Sequence, residues 1–554
     1  MDKIVTQNGF RIDKVHVDLT WHKDSDHYSD GDIENELLDC VRNQQIDELL
    51  HNDNRWPVIY HLSPVRENIV SWIPFKKTDR VLEIGSGCGA VSGVMASKAG
   101  WLECVEISPR RAEISAWRNH DYDNMVIHVG NLNDMEFTEK FDYVTLIGVL
   151  EYAGTFTHTD NPYEDFLRIC RKFLKPEGTL IIAIENRLGM KYWSGAREDH
   201  TGKRFDGILN YPYPQCKVRT FARQELTSLL IKAGLDEQSW YYPYPDYKLP
   251  LEIHSDSYLP NSADIKHFDL SVFDQERIEI FSEVQAMAGI CDAGLYPEFS
   301  NSFLVLCRNS QVNIPARPLP AYIHYNGRRK RDYEIITEIW QENGQYVVYK
   351  KAQNKLAIRH LQTIAENCRI LSDEYGAQHV AQAELINREL LKMEYVEGTS
   401  FMELLISGLR EGGIGLLKGY IEYYTNNILQ GSDTVNLQDW QSEVELPSRK
   451  YNLDLNFENV RVRNDDFVII DYEWMLPKVS KKYVLYRALF YLDHECSDIL
   501  QRYGLSLEAL LKSAGISEQD VKTYRIMEGR FYHHIADDYY AGYKKNRLAI
   551  NINV

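Results

Sequence analysis

Between residues 78 and 185, short apolar runs rich in Val, Ile and Leu alternate with stretches of helical periodicity. The runs are Arg80–Ile84, Trp101–Ile107, Met125–Val129, Tyr143–Val149 and Thr179–Ile184. Strands that alternate with helices argue for a parallel α/β sheet, and near-continuous apolar runs fit strands covered on both faces. A helix is predicted over Val91–Lys98, directly after the first run. Gln238–Tyr242 and Ser302–Cys307 read as later strands of the same sheet. Between them lies a Tyr- and Pro-rich insert, about residues 243–300, expected to act as a substrate lid or a packing loop. Residues 309–320 carry three prolines and no periodicity, which marks a linker. Beyond it come short strands, a helix, another strand and then mostly helices. The expected organisation is a first domain over 1–308 with an N-terminal extension 1–55, a linker 309–320, and a second domain over 321–554. No internal repeat or low-complexity tract is visible.

At 554 residues the chain is long enough for two cores. Its formal net charge is −19, from 62 Lys and Arg against 81 Asp and Glu. An acidic surface is a poor start for gripping a phosphate backbone, so no nucleic-acid partner is expected. No apolar run reaches the roughly 18 residues of a membrane-spanning helix. Residues 1–21 mix charge with Asn, Asp and Thr and do not read as a signal peptide. The nine cysteines form no Cys-x-x-Cys pair, which argues against a zinc site and a disulfide framework. A reducing cytoplasm is the expected compartment.

The first chemical motif is Val81-Leu-Glu83-Ile-Gly85-Ser-Gly87-Cys-Gly89-Ala90, between a strand and a helix. Glycines there let the backbone turn tightly and approach a ligand. Taken alone, Gly-x-Gly-x-x-Ala would also suit a dinucleotide. Three neighbours point elsewhere. Glu83 can accept from the amino group of a cationic ligand. Glu106, ending the next strand, is placed for a bidentate grip on ribose hydroxyls. Asn131, after the third strand, can meet an adenine edge, with Leu132 packing on the ring. With Phe141-Asp142 through Glu151-Tyr152 and Leu174-Lys-Pro-Glu-Gly-Thr-Leu-Ile-Ile, residues 56–308 resemble class I S-adenosylmethionine-dependent methyltransferases. The resemblance implies an α/β, Rossmann-like seven-stranded sheet with S-adenosylmethionine above its C-terminal edge. It implies cofactor contacts at Glu83, Gly85, Gly87, Glu106, Asn131 and Leu132. The Asn161-Pro-Tyr163 segment is similar to a motif of amino-methylating DNA enzymes. It lies a whole loop beyond the fourth strand, so a helix-start turn is expected instead.

The acceptor should sit beyond the strand ends. Residues 185–204 hold Arg187, Lys191, Arg197, Lys203, Arg204 and a histidine, a cationic loop in an acidic chain. Converging cations suit a phosphate or carboxylate acceptor. Asp199 or His200 could remove a hydroxyl proton. Tyr60, His61 and Arg66 are further candidates for touching cofactor or acceptor.

In the second half, Asp454 and Asn459 are five apart on a loop, and Asp471 ends the apolar run Val468–Ile470 after a turn at 464–466. Phosphoryl transfer needs a carboxylate near the attacking hydroxyl and oxygen ligands for Mg²⁺. Residues 322–500 resemble protein-kinase-like folds, most closely the small-molecule and lipopolysaccharide kinases. The resemblance implies a bilobal α+β domain binding ATP and Mg²⁺, with Asp454 as base and Asn459 and Asp471 on the metal. It implies Lys350 as the phosphate-binding lysine, with Lys351 an open alternative, Glu366 as its partner, and a hinge around Glu394 and Val396. Two positions depart from the pattern. Only Gly344 stands where a glycine-rich loop is usual, and Asn452-Leu453 replaces His-Arg.

Together the halves resemble the methyltransferase–kinase enzymes that cap bacterial O-antigen or capsular polysaccharides. That likeness implies a bifunctional enzyme acting on a surface glycan or sugar-phosphate end, lipid-linked in some members. It also implies a glycosyltransferase partner and a peripheral place at the inner membrane face. No heptad-repeat tail follows the second domain, so a coiled-coil ruler is not expected. The competing readings are a methyltransferase with a pseudokinase scaffold, an RNA methyltransferase, and a small-molecule natural-product methyltransferase.

Overall fold

The structure is a computed structural model. It describes residues 3–23, 29–213, 215–262, 264–265, 277–278, 280–311, 315–326, 329–429, 450–463, 466–477, 479–536 and 547–548. The chain divides into a unit reaching from the N-terminus to His324 and a unit over Tyr325–Asp538.

The first unit is built on a mixed sheet. Its central order is Met125–Val129, Trp101–Glu106, Arg80–Ile84, Phe141–Ile147, Leu174–Glu185, Ser302–Arg308 and Glu237–Tyr244. The first five are parallel, and Ser302–Arg308 runs antiparallel to both its neighbours. All seven expected strands are present. Their apolar runs bury both faces: Leu82, Val144, Leu146, Leu180, Ile182 and Val305 have no exposed surface. Each such side chain gains about 1.5–3 kcal/mol by leaving water. The order reverses at Arg80–Ile84, where the chain moves to one side and then to the other. A crevice opens at such a switch point, beyond the carboxyl ends of the strands.

Two regions extend the sheet beyond expectation. In the N-terminal extension, Lys3–Thr6, Gly9–Ile12 and Val15–Asp18 form an antiparallel meander. The last of these pairs in parallel with Met125–Val129. These strands are only four residues long and the first is largely exposed, so their alternation is too brief to read. In the insert, Glu252–Ser255 pairs antiparallel with Glu237–Tyr244, and Glu283–Asp292 forms a helix. The middle of the insert lies outside the described residues. The linker is tied down at its second half, where Arg317 makes a bidentate ion pair with Asp79 at 2.5 and 2.7 Å. Asn161 stands at the N-cap of the helix Pro162–Phe173, as the helix-start reading of that segment expects.

The second unit opens with an antiparallel sheet in the order Ile335–Glu342, Gln345–Ala352, Leu390–Glu394, Ala383–Asn387. The first hairpin closes on Asn343 and Gly344, at φ +51° and +83°. Two consecutive positive φ values are the signature of a tight two-residue turn matched to strand twist. The helix Ile358–Tyr375 packs on this sheet through Leu361, Ile364 and Cys368. Helices Phe401–Tyr423, Lys481–Arg502 and Glu518–Ile535 follow, with short ladders of Val460–Arg463 on Asp466–Ile469 and of Lys450–Asn452 on Met475–Pro477. Residues 464 and 465 of the expected turn lie outside the described residues. Among the described residues, no helix is long and apolar enough to cross a membrane.

Candidate functional site

The crevice of the first unit is a cavity of about 380 Å³. That lies within the range of small-molecule pockets. One end is made by the glycine turn. Gly85, Gly87 and Gly89 all have positive φ, at +72°, +54° and +75°. A Cβ on Gly85 would lie 2.5 Å from Val149 Cγ2, whereas one on Gly87 would meet nothing within 4 Å. Gly85 is therefore required by packing, and Gly87 leaves bare backbone facing open space. Gly85→Ala is expected to destabilise the unit by on the order of 1–3 kcal/mol, read as a lower melting temperature.

Glu106 anchors that turn. Its carboxylate accepts from Gly87 N at 2.7 Å and Ser108 N at 2.8 Å. Glu83 is buried at the strand end and accepts from Ser92 Oγ at 2.6 Å and Cys104 Sγ at 3.3 Å. Burial pushes its carboxyl up to about 7. A cationic group in the cavity would favour the ionised form. Asn131 and Leu132 both line the cavity. The Asn131 amide is engaged locally, accepting from Asn133 N at 3.0 Å and donating to Phe156 O at 3.3 Å. Tyr60, His61 and Arg66 also line it. His61 pairs with Asp30 at 2.8 Å, and the Arg66 guanidinium lies 4.3 Å from the Tyr60 ring centre. Carboxylates at Glu83 and Glu106, a bare glycine turn and an apolar Leu132 are a donor set that fits S-adenosylmethionine.

The inner end is acidic, which corrects the expectation of a cationic grip. Arg187 pairs with Glu225 at 2.7 Å, Lys191 with Asp246 at 2.6 Å, and Arg197 donates to Gly202 O at 2.9 Å. Lys203 lies over the Tyr213 ring. None of the four borders the cavity. Sequence shows the charges of a loop but not the distant carboxylates that absorb them.

Asp199 and His200 do border the cavity, but neither is set as a base. Burial would raise Asp199; Lys191 and Lys248 outweigh it and hold the carboxyl well below the usual range. Lys248 lies 2.7 Å and Lys191 3.0 Å from it. Burial would lower His200; Glu185, Glu151 and Glu198 outweigh that and raise it well above the usual value. Glu151 and Glu185 are the residues that sequence reading passed over. Glu185 ends its strand, Glu151 lies in the turn after the neighbouring strand Phe141–Ile147, and both are almost wholly buried at the cavity wall. The insert adds Tyr247 and Lys248, brought in where Arg66 donates to Lys248 O at 3.0 Å and Asn68 to Pro250 O at 2.9 Å.

A second cluster lies within the second unit. Lys350 is buried and reaches Asp471 at 2.9 Å and Glu473 at 2.7 Å. Lys351 points the other way, to Glu338 at 2.6 Å. Strand alternation makes one of two adjacent lysines face inward, and it is Lys350. Glu366 does not meet it. That side chain is half-exposed, 3.6 Å from Arg359. The next residue, Asn367, faces inward and donates to Tyr472 O at 2.8 Å and Glu473 O at 3.2 Å. One helical position is a turn of about 100°, enough to carry Glu366 to the outer face. Glu473 takes the ion-pair role and also binds Arg329.

Asp454 accepts from Trp474 N at 2.9 Å, and Asn459 donates to Asp454 O at 2.9 Å. Asn452, at the departing position, donates to Asp471 O at 3.0 Å and accepts from Asp454 N at 2.9 Å. It fastens the two aspartate segments together. Glu394 borders an open groove with Tyr346 and Val347, while Val396 is buried against Ala381 and Val468. Burial, with Asp471 and Glu473 close by, pushes the Asp454 carboxyl up to about 7. If Asp454 is the base, phosphoryl transfer should rise as pH climbs through about 7, because only the ionised carboxylate accepts a proton. A rate profile flat from pH 6 to 8 would remove it from that role. Lys350 and Asp471 thus meet, while Asn459 sits on the Asp454 segment that Asn452 ties to Asp471.

Residues 82–180 match the family model described as a methyltransferase domain. The chain is 30% identical over 84 residues to the ribosomal RNA small subunit methyltransferase A of Syntrophus aciditrophicus, covering 15% of this chain and 28% of that protein. It is 28% identical over 155 residues to the ubiquinone biosynthesis O-methyltransferase of Xanthomonas campestris, covering 26% and 61%. The chain thus spans less than two thirds of either relative. Among solved structures it is similar to the N-methyltransferase NodS of Bradyrhizobium japonicum in complex with S-adenosyl-L-homocysteine, at 14% identity and a TM-score of 0.27, over 49% of this chain and 98% of that one. The family match thus falls on the strands and turns that build the cavity of the first unit.

Proposed function

We propose that the chain transfers a methyl group from S-adenosylmethionine in its first unit and a phosphoryl group from ATP in its second. We place both reactions on a bacterial surface glycan or a phosphorylated sugar end. The methyl-transfer reading is carried by Glu106, whose carboxylate holds the bare Gly87 backbone at a cavity that begins at the sheet's switch point. S-adenosylmethionine supplies an electrophilic methyl group, and Mg·ATP a phosphoryl group, when bound. Glu106 would hold the ribose hydroxyls, Glu83 the amino group, and Asn131 and Leu132 the adenine. The opposite wall, with Glu151, Glu185 and His200, would receive the acceptor.

The phosphoryl-transfer reading is supported by Lys350 lying within hydrogen-bond reach of Asp471. Lys350 would hold phosphate, Asn459 and Asp471 would hold Mg²⁺, and Asp454 would take the acceptor's proton. A pseudokinase reading is favoured by one observation: the Asn343-Gly344 turn has only two residues and provides no backbone loop to cover phosphates. Methyl and phosphoryl transfer from labelled donors to a panel of phosphorylated and unphosphorylated oligosaccharides tests the whole reading. Methylation of the panel without any phosphorylation would leave the pseudokinase reading standing.

A further inference from the structure

At the inner end of the cavity, Glu151, Glu185 and His200 each offer one ligand atom, and these atoms lie within 4.8 Å of one another. We propose that the three residues bind a divalent metal cation, which in turn holds an oxygen of the acceptor. The site stands independently of the methyl-transfer reading; its consequence for the acceptor rests on that reading.

Three observations carry it. First, Glu151 is 1% exposed and Glu185 fully buried, yet Glu151 Oε2 and Glu185 Oε2 have no hydrogen-bond partner among the described residues. Lys248 and Tyr247 already occupy Glu185 Oε1, at 2.5 and 3.3 Å, so the two Oε2 atoms are the ones left without a donor, and a shared cation would satisfy both. Second, His200 is oriented as metal-ligating histidines are. Its Nδ1 is 3.1 Å from Glu198 Oε1, and its backbone N donates to Glu198 Oε2 at 2.8 Å. That leaves Nε2 turned toward Glu151, 3.7 Å from Oε1. A carboxylate behind the histidine fixes the ring and raises its basicity as a ligand. Third, the ligands come from the ends of adjacent strands and from the loop that closes over them, so all three border the cavity. Bond lengths of about 2.0–2.2 Å require the three atoms to draw in by well under an ångström each.

Two carboxylates and an imidazole suit a first-row dication better than a wholly oxygen-seeking ion such as Ca²⁺. The ion also resolves an electrostatic problem. Among the residues that line this end of the cavity, Glu151, Glu185 and Asp199 outnumber His200 and Lys248. Without a dication such a wall repels a phosphate; with one, it attracts phosphate and hydroxyl oxygens. The acceptor class is therefore an oxygen donor, a hydroxyl pair or a phosphate oxygen, rather than an alkyl amine.

The test uses the full chain, stripped with EDTA and titrated with Mn²⁺ while free ion is read by electron paramagnetic resonance. One equivalent should bind with no cofactor or nucleotide added. The double variant E151Q/E185Q should bind that equivalent about a hundredfold more weakly or not at all. D471N, in the second unit, should keep it. On the wild-type chain, where variant folding plays no part, electron–nuclear double resonance should show a directly bound imidazole nitrogen. Failure of wild type to bind Mn²⁺, retention of the equivalent in E151Q/E185Q, or absence of the nitrogen coupling would each overturn the site. Calorimetry with S-adenosylhomocysteine separates the two readings. Cofactor binding without a bound ion leaves methyl transfer standing and removes the metal. A bound ion without cofactor binding does the reverse.

Discussion

Glu106→Ala is expected to weaken S-adenosylhomocysteine binding by on the order of 2–4 kcal/mol, a loss of about thirty- to a thousandfold. Two effects add. The variant removes a carboxylate that would accept two charge-assisted bonds from ribose. It also releases Gly87 N and Ser108 N, which that carboxylate now holds at 2.7 and 2.8 Å. The glycine turn would lose the fastening that presents its backbone to the cavity. Glu106→Gln separates the effects. An amide oxygen can still accept from one backbone N–H, but it has lost the negative charge, so its deficit should fall between wild type and alanine. Calorimetry gives the affinity directly. An unchanged value in Glu106→Ala would remove the assignment of this cavity end to the ribose.

The parts of the site that sequence made legible are those in which structure and chemistry are adjacent along the chain. Glu83 lies two residues before Gly85, and Glu106 closes the next strand, so one parallel ladder fixes both. Asn131 follows the third strand for the same reason. The acceptor wall was not legible, because its members meet only through tertiary folding. Lys248 reaches Glu185 at 2.5 Å from an insert that carries no motif. The cations of residues 187–204 were visible, but Glu225 and Asp246, which absorb two of them, lie outside the loop. The one sign that was available is positional. Glu185 closes the apolar run Thr179–Ile184, and a carboxylate at the end of such a buried run is held in the interior at the site.

The second unit shows the same division. Asp454, Asn459 and Asp471 are tied by local spacing and were legible. The partner of Lys350 was not, because Glu366 and Asn367 are neighbours in sequence and face opposite ways. Glu473 is two residues beyond Asp471, in the segment between two short strands, and it meets Lys350 at 2.7 Å. An acidic pair spaced by one residue after an apolar strand was a usable signal for that contact.

Asp471→Ala is expected to abolish phosphoryl transfer and to weaken Mg·ATP binding together. Asp471 now sits 2.9 Å from Lys350 Nζ and is held by Asn452 through its backbone carbonyl. With nucleotide bound, its carboxylate would hold the Mg²⁺ that neutralises charge on the phosphates. Removing it takes away a metal ligand and leaves Lys350 with Glu473 alone, so affinity and turnover fall together. Asp454→Asn should behave differently. Asp454 is held by Trp474 N and would act on the acceptor's hydroxyl, so turnover should drop while Mg·ATP affinity stays close to wild type. Methyl transfer to an acceptor already phosphorylated should survive both substitutions, because its groups lie in the other unit. Nucleotide affinity by calorimetry and turnover with labelled ATP, measured on both variants, give the comparison. Equal loss of affinity in the two would place Asp454 on the nucleotide rather than the acceptor. A wild-type chain that binds no Mg·ATP would make the two-residue Asn343-Gly344 turn the deciding feature, since Lys350 and Asp471 would then be an internal ion pair with no phosphate to hold.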